Sequence, residues 1–271
     1  DKESYMNWLT ISIYLSKGLI YLVFFLIGIT VFSFANVVIY RLPEKKGFTK
    51  GSSMCRSCGH KLAVKDLIPI FSWIRLKGKC RYCGEKISVR YPLVELFGGI
   101  CAVGLTAYYG ITLKALTIFL LFTVFTIITL IDYDTMEIPP VLNIAVLILG
   151  IISIWTVGGV SILDRIIGMF CISLPLFLIV LIIPEGFGGG DIKLMFAAGF
   201  FLGWKMTVMG FFIGLVAGGI YGVILMARRK KGKKDHFAFG PFLCAGMAIS
   251  IFVGTQLLDK YIDFIKVAFY Q

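Results

Sequence analysis

Charge is scarce in this chain. Of its 271 residues, 15% are Asp, Glu, Lys or Arg and 58% are hydrophobic. A soluble domain carries about 25% charged and about 45–50% apolar residues. The shortage excludes a disordered chain, a collagen-like chain and an ordinary cytosolic enzyme, and it fits a polytopic membrane protein. Acidic residues are scarcer still, 15 against 27 Lys and Arg, for a net charge of +12. That excess does not call for a nucleic-acid partner, because basic loops also orient membrane helices. No small-residue cleavage site follows the first apolar run, which is also too long and too late for a cleaved signal peptide. The run ends in NVVIYRLP, where Pro43 marks the exit from a helix. Residues 1–5, DKESY, precede Met6, which is expected to be the native start.

What is present in quantity is apolar sequence. A bilayer-spanning helix needs about 20 mostly apolar residues. Roughly eight candidates emerge, at 18–40, 93–110, 113–132, 140–157, 161–184, 191–204, 206–227 and 239–258, the sixth of them short. The expected fold is therefore an all-α polytopic membrane protein with about eight transmembrane helices. Three divisions follow: 1–40 with the first helix, a polar insertion at 41–92, and a membrane domain at 93–271.

The basic residues are not spread evenly. Thirteen Lys and Arg fall in 41–92, and six more in RRKKGKK at 228–234. Such loops stay in the cytoplasm. Both termini are then outside, and the turns at 132–140 and 184–191 are inside. The parity is consistent, since even numbers of spans separate these loops.

Seven cysteines are present. Cys101, Cys171 and Cys244 stand alone in apolar segments and read as small buried hydrophobes. The other four form Cys55-x2-Cys58 and Cys80-x2-Cys83, within CRSCGHKL at 55–62 and CRYCGEKI at 80–87. A glycine after the second Cys lets the backbone turn so that amides face the thiolates. Two such knuckles supply four thiolates in a tetrahedron, the arrangement of a closed structural Zn²⁺ site. A cytoplasmic location argues against disulfides. His60 lies just outside its knuckle and reads as a solvated loop residue. The insertion is too small for much of a core, so a metal staple is physically reasonable.

The carboxylates sort by position. Asp1, Glu3, Asp259 and Asp263 lie near the termini. Glu44, Asp66, Glu85 and Glu95 belong to the basic insertion, Asp164 beside Arg165 to an outer link, and Asp235 to the second basic run. Two clusters remain. Asp132-Tyr133-Asp134 closes the third segment, with Glu137 and Pro139-Pro140 after it. Asp191 follows Gly186-Phe187-Gly188-Gly189-Gly190 at the start of the sixth. Ionisable groups in spanning helices are costly and mark function. A Gly-rich turn lets the backbone approach closely, and a helix N-terminus favours the negative charge of Asp191.

Two facing carboxylates that share one proton are the equipment of an aspartic protease. One deprotonates a water while the other, protonated, hydrogen-bonds the scissile carbonyl. Gly188 and Gly190 shape this site. Lys193 either stabilises the ionised pair or snorkels to the interface. The same residues allow a second reading, a transporter or ion channel with Asp132 and Asp191 as a cation site. Against it, no repeat is evident outside the cysteine knuckles. A methyltransferase without protease activity is a third.

The chain also resembles the type IV prepilin peptidases, the bacterial leader peptidase/N-methyltransferase family of GxGD membrane aspartic proteases. The resemblance rests on SFANVVIYRLP at 33–43, the paired CxxC loop, ISVRYPLVEL at 87–96, IDYDTMEIPP at 131–140, GFGGGDIKL at 186–194 and FGPFLCAG at 239–246, in the family's order. It implies an endopeptidase of the bacterial cytoplasmic membrane that cuts the basic leader of prepilin or pseudopilin precursors after a Gly. By motif position, Asp132 and Asp191 carry over as the catalytic pair. It further implies methylation of the new N-terminus with S-adenosylmethionine.

One departure is Pro139-Pro140, where the family usually has Pro-Asp. Tyr133-Asp134 also resembles the YD of presenilin-type proteases. Asp132 and Asp134 point about 200° apart on a helix, so only one can face Asp191, and Asp132 is favoured. Asp134 then reads as a solvated or supporting residue. Glu137 and Glu185 flank the two segments and are candidates to meet the basic leader.

Overall fold

The computed structural model describes residues 2–45, 47, 53–183, 186–227 and 237–270. Glu185, the basic run at 228–234, Lys46 and Lys50 lie outside the described residues. Among the described residues the architecture is all-helical, with two isolated antiparallel bridges, Met54 with Lys61 and Lys79 with Lys86, and no strand. The expected all-α polytopic fold is what the structure shows. Six helices are long and apolar enough to cross a membrane: Thr10–Arg41, Arg90–Tyr109, Leu113–Thr135, Ile162–Ile182, Trp204–Ala227 and Gly240–Lys260. The other two expected runs form shorter helices, Pro140–Thr156 and Gly189–Leu202. The latter has 14 residues, about 21 Å at 1.5 Å per residue, which falls short of a hydrocarbon core about 30 Å thick.

The chain divides into two compact units, 1–119 and 120–271. In the first, α1 (Lys2–Arg41) packs on α3 (Arg90–Tyr109). Lipid is as apolar as leucine, so membrane helices associate through close packing of small residues. A Cβ on Gly28 would lie 2.4 Å from the Gly98 carbonyl oxygen, and one on Gly98 would lie 2.2 Å from the Phe32 ring. Between these helices lies the polar insertion, with a 3₁₀ turn at Val64–Asp66 and the short helix α2 (Phe71–Arg75). Its tether is Glu95, a buried carboxylate on α3 that accepts the Ile70 amide at 2.7 Å. Trp73 Nε1 adds a second clamp by donating to the Ile87 carbonyl at 3.1 Å.

The second unit runs from the later part of α4 (Leu113–Thr135) through α5 (Pro140–Thr156), α6 (Ile162–Cys171), α7 (Ser173–Ile182), α8 (Gly189–Leu202), α9 (Trp204–Ala227) and α10 (Gly240–Tyr270). The fifth expected run, 161–184, is broken between α6 and α7. Pro175 lacks the N–H that would bond the Cys171 carbonyl, and its ring crowds that carbonyl. The Ser173 hydroxyl donates instead to the Met169 carbonyl.

The short helix α8 packs against α5, α6, α7, α9 and α10. It buries Leu194, Met195, Ala197, Ala198, Phe201 and Leu202, as a helix apolar on all sides does. Its contact with α6 is backbone to backbone, since a Cβ on Gly199 would lie 2.0 Å from the Gly168 carbonyl oxygen. Gly199→Ala must push the two helices apart, at a cost of about 1–3 kcal/mol. Thermal unfolding in detergent is expected to shift down for Gly199→Ala and to stay in place for Gly104→Ala, where a Cβ meets nothing within 4 Å.

Arg165 corrects one sequence reading. Rather than lying on an outer link, its side chain is fully buried. Nη1 donates to Ser153 Oγ and to the Phe200 and Phe201 carbonyls, and Nη2 to the Ser153 carbonyl. Phe200 and Phe201 belong to the last turn of α8, where unpaired carbonyls favour a cation.

Candidate active site and metal centre

The four cysteine sulfurs lie within 4.8 Å of one another, and those of Cys55 and Cys83 are 3.8 Å apart. A tetrahedron of sulfurs about 2.3 Å from a central ion has edges of about 3.8 Å, so the cluster fits a four-thiolate metal site. The two halves are built alike. The Cys55 amide donates to His60 and the Cys80 amide to Glu85, and the Gly59 and Gly84 amides return to the Cys55 and Cys80 carbonyls. Gly59 and Gly84 turn at φ of 69° and 74°, where a Cβ would strain the backbone. The Cys58 and Ser57 amides hold the Cys55 thiol down to about 6. Against the Glu85 amide, which lowers it, loss of water and the neighbouring sulfurs push Cys83 up to about 12. Four adjoining thiols cannot all ionise together, and a dication relieves that repulsion. His60 is not among the candidate ligands; its ring stacks 3.6 Å from that of Tyr82.

The repeated arginines of the knuckles anchor them differently. Arg56 stacks on Tyr40 of α1 at 3.7 Å. Arg81 Nε pairs with Asp66 at 2.6 Å, and the Tyr82 hydroxyl donates to the same carboxylate at 2.9 Å. Burial raises the Asp66 carboxyl, but these partners and the Ala63 amide outweigh it and leave it below the usual carboxylate range.

The second centre lies at one end of α4 and α8. Asp132, in the last turn of α4, is buried, and so is Asp191, in the first turn of α8. The two carboxyls interact electrostatically. Asp134 and Glu137 are exposed instead, with Tyr133 between the two aspartates also turned outward. After Thr135 the chain leaves the helix through Met136 at φ 55°, whose amide closes on the Asp132 carbonyl at 2.8 Å. Ile138 then turns inward, and a Cβ on Gly190 would lie 3.0 Å from its Cβ. Pro139 caps α5 without a side-chain bond and Pro140 takes the first helical position, where a missing N–H costs nothing. Gly188 caps α8 and its carbonyl accepts the Asp191 amide at 3.0 Å. A Cβ on Gly188 would lie 3.1 Å from Asp191 Oδ2. Lys193 is exposed.

Two neighbours of this centre escaped the sequence reading. The Gly240 amide, at the start of α10, donates to Asp132 Oδ2 at 2.9 Å. The first N–H groups of a helix have no partner within it, so Gly240-Pro241 opening an apolar run was the available signal. Cys244, one turn further on, is buried with the Thr129 side chain as its partner and lies within electrostatic reach of both aspartates. Its burial was expected, but nothing in its local sequence reveals that it faces them. Cys101 and Cys171 are half-buried.

Geometry thus defines a multi-pass membrane protein with a buried carboxylate pair and a cluster of four cysteines that could hold a metal. Residues 26–109 match the Bacterial Peptidase A24 N-terminal domain, and residues 119–223 match the Type IV leader peptidase family. Relatives named prepilin leader peptidase/N-methyltransferase include one from Burkholderia pseudomallei, 32% identical over 84% of this chain and 84% of its own. One from Aeromonas salmonicida is 32% identical over 94% of this chain and 99% of its own. A third, from Pseudomonas aeruginosa, is 30% identical over 88% and 92%. No solved structure matches the chain. The chain belongs to the type IV leader peptidase family.

Proposed function

We propose that Asp132 and Asp191 are the catalytic pair with which this prepilin peptidase removes the leader of its precursors. The observation that carries the assignment is the burial of both carboxyls, within electrostatic reach of each other, where α4 ends and α8 begins. Burial and mutual repulsion favour one shared proton over two charges. The ionised carboxylate takes a proton from water as the oxygen attacks the carbonyl carbon of the leader's last Gly. The protonated partner hydrogen-bonds the carbonyl oxygen as it gains charge. Collapse of the tetrahedral intermediate breaks the C–N bond, and the departing nitrogen takes a proton from the dyad. The Gly240 amide orients Asp132 throughout, since it bonds one oxygen and leaves the other for chemistry.

The product amine is the acceptor for methylation, for which bound S-adenosylmethionine supplies the methyl group. The four cysteines hold Zn²⁺ as a structural ion, closed to substrate by its full set of thiolates. The basic loops favour the cytoplasmic face of a bacterial inner membrane for this chemistry, and an eight-span count would then leave both termini outside. Residues 41–92 form the zinc domain and 93–271 the protease domain. Asp134, Gly188, Gly190 and Lys193 support the site. Glu137 is exposed just beyond α4, where a basic leader can reach it, and Glu185 is proposed to act with it. Neither the family nor the geometry supports the ion-transport reading.

The test is incubation of the purified protein with a substrate carrying a basic leader, a Gly and an apolar helix. Mass measurement of the new N-terminus is expected to report cleavage after Gly and one added methyl group. A folded, metal-loaded sample that leaves the substrate intact would remove the proposal. Charge reversal at both Glu137 and Glu185 is expected to raise KM for the basic-leader substrate; an unchanged KM removes their role.

A further inference from the structure

The insertion carries an apolar surface that the proposed chemistry does not use. In the short helix α2, Phe71 and Ile74 are 57% and 62% exposed, three residues apart and so on one face. Leu67 and Ile68 are exposed in the turn before it. Trp73 instead faces the insertion: its indole donates to the Ile87 carbonyl, and a Cβ on Gly78 would lie 2.9 Å from its ring. Basic residues flank the apolar ones in sequence, and Lys65, Arg75, Lys77 and Lys79 are all exposed. The one acidic residue among them, Asp66, is paired with Arg81.

Glu95 sets the height of this surface. Helix α3 has 20 residues, about 30 Å, which just matches the hydrocarbon core and leaves no length to spare. Its first residues, Arg90 and Tyr91, are of the types found at the membrane–water boundary. Glu95 follows in the second turn, and its side chain, tilted back toward the helix start, accepts the Ile70 amide. Ile70 is therefore held at the level of the boundary, and α2 begins at the next residue. Ile70 itself sits at φ 61° and ψ −52°, in a three-residue turn closed by the Phe71 amide on the Pro69 carbonyl. A β-branched residue rarely adopts that conformation, which persists where contacts over-determine it. Leu93 and Phe97, on either side of Glu95 in α3, are exposed to lipid at the same level. We propose that α2 and the turn before it rest on the anionic lipid surface around α3. Phe71 and Ile74 are set into the boundary between headgroups and acyl chains, and the lysines and arginine meet the phosphates. An interfacial helix buries its apolar face about 5–10 Å deep there, and cations near an anionic leaflet add to the attraction. A basic leader or a second copy of this chain would bring cations against these cations, whereas lipid phosphate brings the opposite charge.

The experiment places a fluorescent amino acid at Phe71 or at Ile74 of the full chain, in vesicles of phosphatidylethanolamine and phosphatidylglycerol. A nitroxide on the lipid chain near the headgroup is expected to quench either position at least about twofold, and aqueous acrylamide to quench it little, as for a group about 5–10 Å below the headgroups. In phosphatidylcholine alone the lipid quenching is expected to weaken, because a neutral surface gives the cations no net partner. Phe71→Ser with Ile74→Ser changes only exposed side chains, so thermal unfolding is expected to stay in place. In the anionic vesicles that variant is expected to speed amide hydrogen exchange across 67–77 about tenfold or more, the effect of two apolar side chains losing their burial. Strong acrylamide quenching without lipid quenching would put the face in water and overturn the inference. Protection from both quenchers would assign the face to a second copy of the chain and also overturn it. Equal lipid quenching in the two kinds of vesicle, or unchanged hydrogen exchange in the serine variant, overturns it as well.

Discussion

Asp132→Asn and Asp191→Asn are each expected to reduce leader cleavage about 10⁴-fold or more. Groups that act as one chemical unit lose nearly everything when either is removed. Asn has the shape of Asp but neither accepts the proton of water at neutral pH nor supplies an acidic hydrogen to the carbonyl oxygen. Folding is expected to survive, because burial penalises the charge of the pair and Asn removes that penalty while keeping an oxygen for the Gly240 amide. Each Asn variant should therefore unfold at the wild-type temperature or higher. A drop in unfolding temperature alongside lost cleavage would point to a structural pair. Asp134→Asn is the natural comparison, since that side chain is exposed while Asp132 is buried. Its cleavage rate should stay within a few-fold of wild type, and a loss comparable to that of Asp132→Asn would reverse the assignment. Methylation separates the two activities further. The Asn variants should still methylate a substrate supplied without its leader, because no bond to the dyad is needed once the amine is free.

Removing the metal should have the second large effect. Between residues 53 and 90, only Gly78 and Cys80 are buried. A segment with so little interior has almost no hydrophobic contribution to its own stability. Structural zinc in small domains contributes about 10–16 kcal/mol of binding free energy, comparable to the whole stability of a typical domain. Chelation, or Cys58→Ser with Cys83→Ser, is expected to take the zinc content from one per chain to none. Limited proteolysis should then cut within 53–88 at least about 100 times faster. Serine at both positions leaves the polar surface intact, so the change isolates the metal. Unchanged proteolysis after verified metal loss would show that the Glu95–Ile70 and Trp73–Ile87 bonds hold the segment unaided.

A third expectation follows from Asp66. Its carboxyl titrates below its unfolded value, so its link to Arg81 and Tyr82 stabilises the insertion fully above the unfolded carboxylate range. That contribution disappears as pH falls through the lower, folded value. Asp66→Asn should remove the pH dependence that the wild-type segment shows in this acid window, read as the difference in proteolysis rate between the two proteins.

Much of this was legible along the chain. Hydrophobic run length located the helices, because a membrane offers no partner for exposed backbone. The spacing of Cys55, Cys58, Cys80 and Cys83 announced the four-cysteine cluster, because each knuckle is local and its glycine turn is set by sequence neighbours. The choice of Asp132 over Asp134 could be framed by helical geometry alone, since two residues along a helix mean opposite faces. Which face turned inward could not. The Gly240 amide at Asp132 lies 108 positions away, and no local rule connects them.

The same division explains the remaining surprises. Arg165 reads as a charged residue near a loop, and only packing reveals a guanidinium buried against the end of α8. The break at 172 lies inside an unbroken apolar run, and Pro175 is its one local sign. Asn143 passes as an ordinary helical residue, and its amide is buried without a hydrogen-bond partner only once α5 packs on α8. Composition and local spacing settle what is decided by solvent and by neighbours in the chain: spans, turns and thiolate knuckles. Tertiary structure settles what depends on contact between distant segments, here the pairing of two carboxylates and the amide that holds one of them. Burial energies act through space, and the chain order carries no record of which helices will meet.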